Sequence, residues 1–167
     1  MTRFAHLAAL LLTAACGERK TDVRTQSGPI SFAGTNAYFI SGTGNLYAPD
    51  GGSVPASFLQ IDVHASADGC GPSPGVTPLT RSILTVALAG PPDRPVAPGH
   101  YPIAVPPSLD HAQGAYFHQD PAGSILVQVI SGEVDLTSSG TSADGSLDVT
   151  LQGDTRISGD FAASPCT

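Results

Sequence analysis

Tryptophan is absent from this 167-residue chain, and its one methionine is Met1. Without an internal methionine there is no thioether to build a soft copper site. Without tryptophan the broadest surface for stacking on sugar rings is missing. Cations are scarce as well. From Gln26 onward the chain has no lysine, and Arg81, Arg94 and Arg156 face twelve acids, a formal charge of −9 with histidine neutral. A nucleic-acid partner requires a basic face, so that class is excluded. The same negative field opposes adsorption to anionic bilayers except through a lipid. No apolar run reaches the ~20 residues that cross a hydrocarbon core as a helix. Glycine (19) and proline (15) are abundant but follow no period, which excludes collagen-like and solenoid architectures.

What is present begins at the N-terminus. Arg3 and the free amine form a small positive region. Phe4 to Ala15 is a mostly apolar stretch broken by His6 and closed by the small residues Thr13, Ala14 and Ala15. That is the layout of an export signal, too short to remain in the bilayer as a span. The segment Leu12-Thr13-Ala14-Ala15-Cys16 resembles the lipobox of bacterial lipoproteins, with Thr13 where leucine is usual. The resemblance implies cleavage before Cys16 and acylation of its thiol, so the chain is attached to a membrane through its lipid. It also implies a cell-envelope location. Gly17 after the cysteine points to the outer membrane in a cell that has one. The alternative is an ordinary secretory signal cut after Ala15, leaving Cys16 as a thiol.

The cysteines are Cys16, Cys70 and Cys166. An odd count in an exported protein leaves one thiol to explain. A lipid on Cys16 accounts for it, and Cys70 and Cys166 then make one disulfide. No CxxC pair is present, so cysteine-based zinc binding is disfavoured by spacing.

These features divide the chain into a signal peptide (1–15), a lipidated cysteine with a polar, flexible tether (16–29) and one domain (30–167). Within that domain no segment sustains a 3.6-residue period, whereas alternation of apolar and polar residues recurs. In Ser57 to Ala65 one face carries Leu59, Ile61, Val63 and Ala65. Ser82 to Ala89 is apolar on both faces, as a central strand would be. From Gly123 to Leu136 the apolar phase shifts from odd to even positions, which predicts a bulge at Ser131-Gly132. Leu147, Val149 and Leu151 predict one inward face; Ile157, Phe161 and Ala163 predict the next. A two-residue Gly153-Asp154 turn would put these sets on opposite faces, so the register requires a three- or five-residue loop. Further strands are expected in Ile30 to Ser41, Leu46-Tyr47 and Gly99 to Val105, with turns at Asp50-Gly51, Asp68-Gly69 and Asp144-Gly145. The expected fold is all-β, an antiparallel β-sandwich or partly closed β-barrel of about 7–9 strands. The C-terminal run Ser158 to Cys166 resembles the closing strand of small, uncharacterised β-rich envelope lipoproteins, a resemblance that carries no activity.

Chemistry-bearing residues are few. The richest cluster is Asp110, His111, His118 and Asp120, with His100 nearby, a donor set suited to zinc or a similar divalent ion. The seven-residue gap between His111 and His118 does not fix two ligands on one strand or helix, so surface histidines are the simpler account. No GxSxG elbow occurs, and no Ser-His-Asp set is distinguishable by sequence. Glu133/Asp135 and Asp148/Asp160 are expected on outward faces, as solvated charges. The aromatics Tyr38, Phe39, Tyr47, Tyr101, Tyr116 and Phe117 are expected mainly in the core. The long segments Pro91 to Pro107 and Leu109 to Pro121 are the ones to watch for function. The expected activity is non-enzymatic: a membrane-anchored binding or structural module without cofactor, whose partner is a small ligand or another envelope protein. The alternative is a small exported metal-binding protein or metal-dependent enzyme using the region of His100, His111 and His118.

Overall fold

A computed structural model describes residues 20–47, 51–66 and 80–166. Among these residues there is no helix. Ten strands run in the order β1 (Asp22–Ser27), β2 (Ala33–Gly34), β3 (Asn36–Tyr47), β4 (Ser53–His64), β5 (Arg81–Gly90), β6 (Gly99–Pro102), β7 (His111–Asp120), β8 (Gly123–Ser138), β9 (Ala143–Leu151) and β10 (Thr155–Pro165). The all-β expectation therefore holds, with two very short strands, β2 and β6, beyond the range expected.

Pairing follows the circuit β10–β3–β4–β5–β7–β8–β9 and returns to β10, so the sheet is ring-like. Every pairing of strands is antiparallel except the short β10–β3 contact, where Ala163 to Pro165 run alongside Ala37 to Phe39. Two strands serve different neighbours along their length. The first half of β10 pairs β1 and its end pairs β3. Similarly, β8 pairs β7 through Gly123 to Gln128 and β6 through Glu133 to Leu136.

Alternation decides which side chains fill the ring. Leu59, Ile61 and Val63 of β4, Leu84, Val86 and Leu88 of β5, and Val149, Leu151, Ile157 and Phe161 of β9 and β10 are all buried. Each such side chain removed from water is worth about 1.5–3 kcal/mol. Ala65, expected on the same face as Val63, is exposed because β4 ends at His64. The β9–β10 register is the one the sequence demands. Thr155 faces Leu151 and Ile157 faces Val149 across a three-residue loop, in which Gly153 and Asp154 both have positive φ. The bulge in β8 falls between Val129 and Ser131, making Ile130 the extra residue, one position before the expected site. It lets both Val129 and Val134 point into the core.

Two expectations need correction. Residues 16–29 are not all tether: Asp22–Ser27 form β1 on the edge of β10, with Val23 fully buried. Val23 and Thr25 lie among charged and polar neighbours, and only the partner strand shows that this segment is a strand edge. Asp144-Gly145 is not a turn but lies within β9, opposite Ala162 and Phe161. A side chain at Gly145 would meet the Phe161 ring at 2.7 Å, so the glycine makes room for that phenyl group.

Candidate functional site

The long proline-rich segment after β5 builds the first candidate. Residues 91–98 fold back against the end of the ring and are held there by side chains. The Ser57 hydroxyl, itself buried, lies 2.9 Å from the Pro91 carbonyl and 2.7 Å from that of Arg94. Ser139 Oγ donates to the Val96 carbonyl at 2.9 Å, and Tyr101 O–H donates to that of Ala97 at 2.6 Å. Burial holds the Tyr101 phenol above its ordinary pKa, so it remains a donor. Val96 then plugs into the core, 5 % exposed. Between this loop and the β3–β4 wall lies a cleft of about 530 Å³, lined by Phe39, Phe58, Leu59, Pro92, Pro95 and Val96, with Ser41, Thr43, Asp93 and Arg94 among its polar groups. The lining contains no imidazole, thiol or amine. The groups it offers are apolar surface, the hydroxyls of Ser41, Thr43, Ser57 and Ser139, the Asp93 carboxylate and the Arg94 guanidinium.

The histidines expected near one another are not brought together. His100 lies on β6 opposite Asp135 of β8, with Nδ1 2.8 Å from Asp135 Oδ1 and Nε2 3.7 Å from Glu133 Oε2. The Asp135 hydrogen bond raises its pKa above the ordinary 6.5; desolvation opposes it, and the charges of Asp135 and Glu133 add to the rise. Its two ring nitrogens meet different carboxylates, which is an ion-pair arrangement and not a set converging on one ion. His111 opens β7, and its Nδ1 lies 2.7 Å from the Leu109 carbonyl. Seven residues of strand separate it from His118 by about 23 Å and place the two on opposite faces of β7. Asp110 precedes His111 with φ of 57°. Among the described residues no group of three or more His, Cys, Asp and Glu side chains could hold a metal ion.

His118 has other company. Its Nδ1 is 2.8 Å from Ser82 Oγ, directly across the β5–β7 ladder, and its Nε2 is 3.6 Å from Asp120 Oδ2. Tyr116 O–H donates to Ser82 Oγ at 3.3 Å. Sequence reasoning gave Ser82 no role. Its pairing with His118 depends on the register between strands separated by the whole of residues 91–110, and no local signal carries that register.

Phe39, Tyr101 and Tyr116 are core residues as expected, whereas Tyr47 is 69 % exposed. Asp148 receives a bidentate contact from Arg156, with Nε donating at 2.8 Å, and that contact lowers its pKa. Cys16 and Cys70 lie outside the described residues. Cys166 follows β10, and its amide donates to the Phe39 carbonyl at 2.9 Å.

No family model matches the chain, and neither a curated protein nor a solved structure is significantly similar to it.

Proposed function

We propose that this chain is a membrane-anchored extracytoplasmic lipoprotein whose β-domain is a non-enzymatic binding module, taking a small, largely apolar ligand with a polar head in the cleft beneath residues 91–98. The cleft carries this reading, because it joins an apolar lining to a polar edge formed by Asp93 and Arg94. The anchor rests on the resemblance of Leu12 to Cys16 to a lipobox. On this reading the domain rides close to the bilayer. Thr21 already hydrogen-bonds Ala162 through its hydroxyl, and the five steps from Cys16 to Thr21 span at most about 18 Å.

A Cys70–Cys166 disulfide belongs to the same proposal, and chain reach supports it. The chain after β4 leaves beside Asn36, whose side chain donates to the Ser66 carbonyl, while Cys166 is held at Phe39 on the same strand. The four residues from Ser66 to Cys70 can cover about 14 Å, comparable to the rise of β3 over that interval.

Radiolabelled palmitate should enter the exported protein and not its Cys16→Ser variant, which should also leave the detergent phase on phase separation. Equal labelling or partitioning of the two would end the lipoprotein reading. For the cleft, the anionic apolar dye anilinonaphthalene sulfonate should fluoresce on binding. The signal should fall with Phe58→Ala and with Arg94→Ala; the same signal in both variants would place the dye elsewhere.

A further inference from the structure

At the end of β5 opposite the cleft, the ring carries a different chemistry. Ser82 shares the inward parity of Leu84, Val86 and Leu88, and His118 shares that of Tyr116. The cross-strand pair Ser82–His118 therefore sits at the mouth of the ring, above the last core layer. Of the two hydroxyls the phenol is the stronger hydrogen-bond donor, which sets the direction. Tyr116 O–H, buried to 2 % exposure, donates to Ser82 Oγ, which leaves the serine proton for His118 Nδ1. The imidazole must then be the tautomer protonated at Nε2, the nitrogen that faces Asp120. At 3.6 Å that contact is an ion pair in waiting and not a hydrogen bond. Asp120 is itself held in place: its other oxygen accepts the amides of Ala122 at 2.8 Å and Gly123 at 3.0 Å in the β7–β8 turn. The His118 side chain is 28 % exposed and that of Asp120 38 %, so the group opens to solvent at one side.

A hydroxyl aimed at an imidazole, with the imidazole steered by a fixed carboxylate, is the arrangement of an activated nucleophile. We infer that Ser82, His118 and Tyr116 form a second site that transfers an acyl group from an ester to water, with Asp120 as a positioning residue. This goes beyond the binding role proposed for the cleft and does not depend on it.

The steps balance within the chain, an ester and water. Ser82 Oγ adds to the acyl carbon while its proton moves to His118 Nδ1. Tyr116 O–H shifts its hydrogen bond to the new oxyanion. Collapse breaks the bond to the leaving alcohol, which takes the proton from Nδ1. Water then adds to the acyl-serine and gives a proton to the same nitrogen. The acyl–Oγ bond breaks, Ser82 recovers its proton and a carboxylic acid departs. Asp120 acts on the imidazolium, which exists only between these proton transfers.

The test uses the exported full-length protein in detergent, with a fluorophosphonate probe and p-nitrophenyl acetate. The expected results are a phosphonate adduct mapped to Ser82, loss of labelling in Ser82→Ala, and ester hydrolysis at least about 100-fold slower in His118→Gln. In Asp120→Asn kcat should fall with KM unchanged, and Asp120→Glu should recover part of it, a pattern that a merely structural role would not produce. Ser82→Cys keeps a nucleophile and should still release nitrophenol in a single burst, which covers the case in which Ser82→Ala fails to fold. No label in the parent, a label surviving in Ser82→Ala, or hydrolysis no faster than by free imidazole would overturn the inference. None of these outcomes bears on palmitate labelling or on dye binding at the cleft.

Discussion

The hairpins β9–β10 and β3–β4 have uninterrupted ladders of comparable length, yet they differ in what they bury. In β9–β10 alternate residues from Ala143 to Ala163 point into the core. In β3 the alternation stops at Phe39, and residues 40–45 are all exposed although each is paired with β4. The cause lies in the neighbours. β10 has β9 on one side and β1 or β3 on the other, whereas β3 beyond Phe39 has only β4 among the described residues. A backbone ladder fixes geometry, but stabilisation follows the apolar area that leaves water. The unburied half of β3–β4 is therefore available as one wall of the cleft.

If that contrast is right, the largest effect belongs to the buried hairpin. Phe161→Ala should lower the unfolding free energy by about 3–5 kcal/mol in a urea titration. Phe58→Ala, in the small satellite cluster with Leu46, Ala56 and Ala89, should cost clearly less. Equal losses would break the comparison.

If the proposed Cys70–Cys166 disulfide forms, its reduction, or Cys70→Ala with Cys166→Ala, should cost about 2–4 kcal/mol by freeing the chain end after β10. The thiol count of the exported protein checks the premise: two reactive thiols at positions 70 and 166 would remove it.

Glycine substitutions sharpen the contrast further. Gly132, with φ of 122°, would bring a Cβ to 2.1 Å from the Asp148 carbonyl oxygen beside the β8 bulge. Gly132→Ala should therefore destabilise by more than about 1 kcal/mol, whereas Gly42 has nothing within 4 Å and Gly42→Ala should leave the melting temperature unchanged or slightly raised.

The smallest effects are electrostatic. The raised pKa of His100 means that its contact with Asp135 contributes fully below the unfolded value, near 6.5, and is lost as pH rises through the folded one. Asp148, lowered by Arg156, has the opposite sign: its contribution is present above the unfolded carboxylate value and is lost on acidification. Both pairs are solvent-screened, so proton-detected titration is the sensitive measurement. Asp135→Asn should bring His100 back toward its ordinary value; an unchanged titration would show that the contact does not persist in solution.

The sequence by itself determined the all-β class, the inward residues of β4, β5, β9 and β10, the three-residue loop at Gly153-Asp154 and, to within one position, the bulge in β8. All of these follow from a period of two and from the rule that opposed residues share a face, which are local constraints. Tertiary structure alone decided that Asp22–Ser27 is a strand, that Asp144-Gly145 lies inside one, and that β10 runs parallel to β3. It also decided that His111 and His118 part company, and that His118 meets Ser82 and Tyr116. Each of these depends on which strand lies alongside which. That choice is made by filling the interior of the ring with side chains from distant parts of the chain, and no window of sequence contains it.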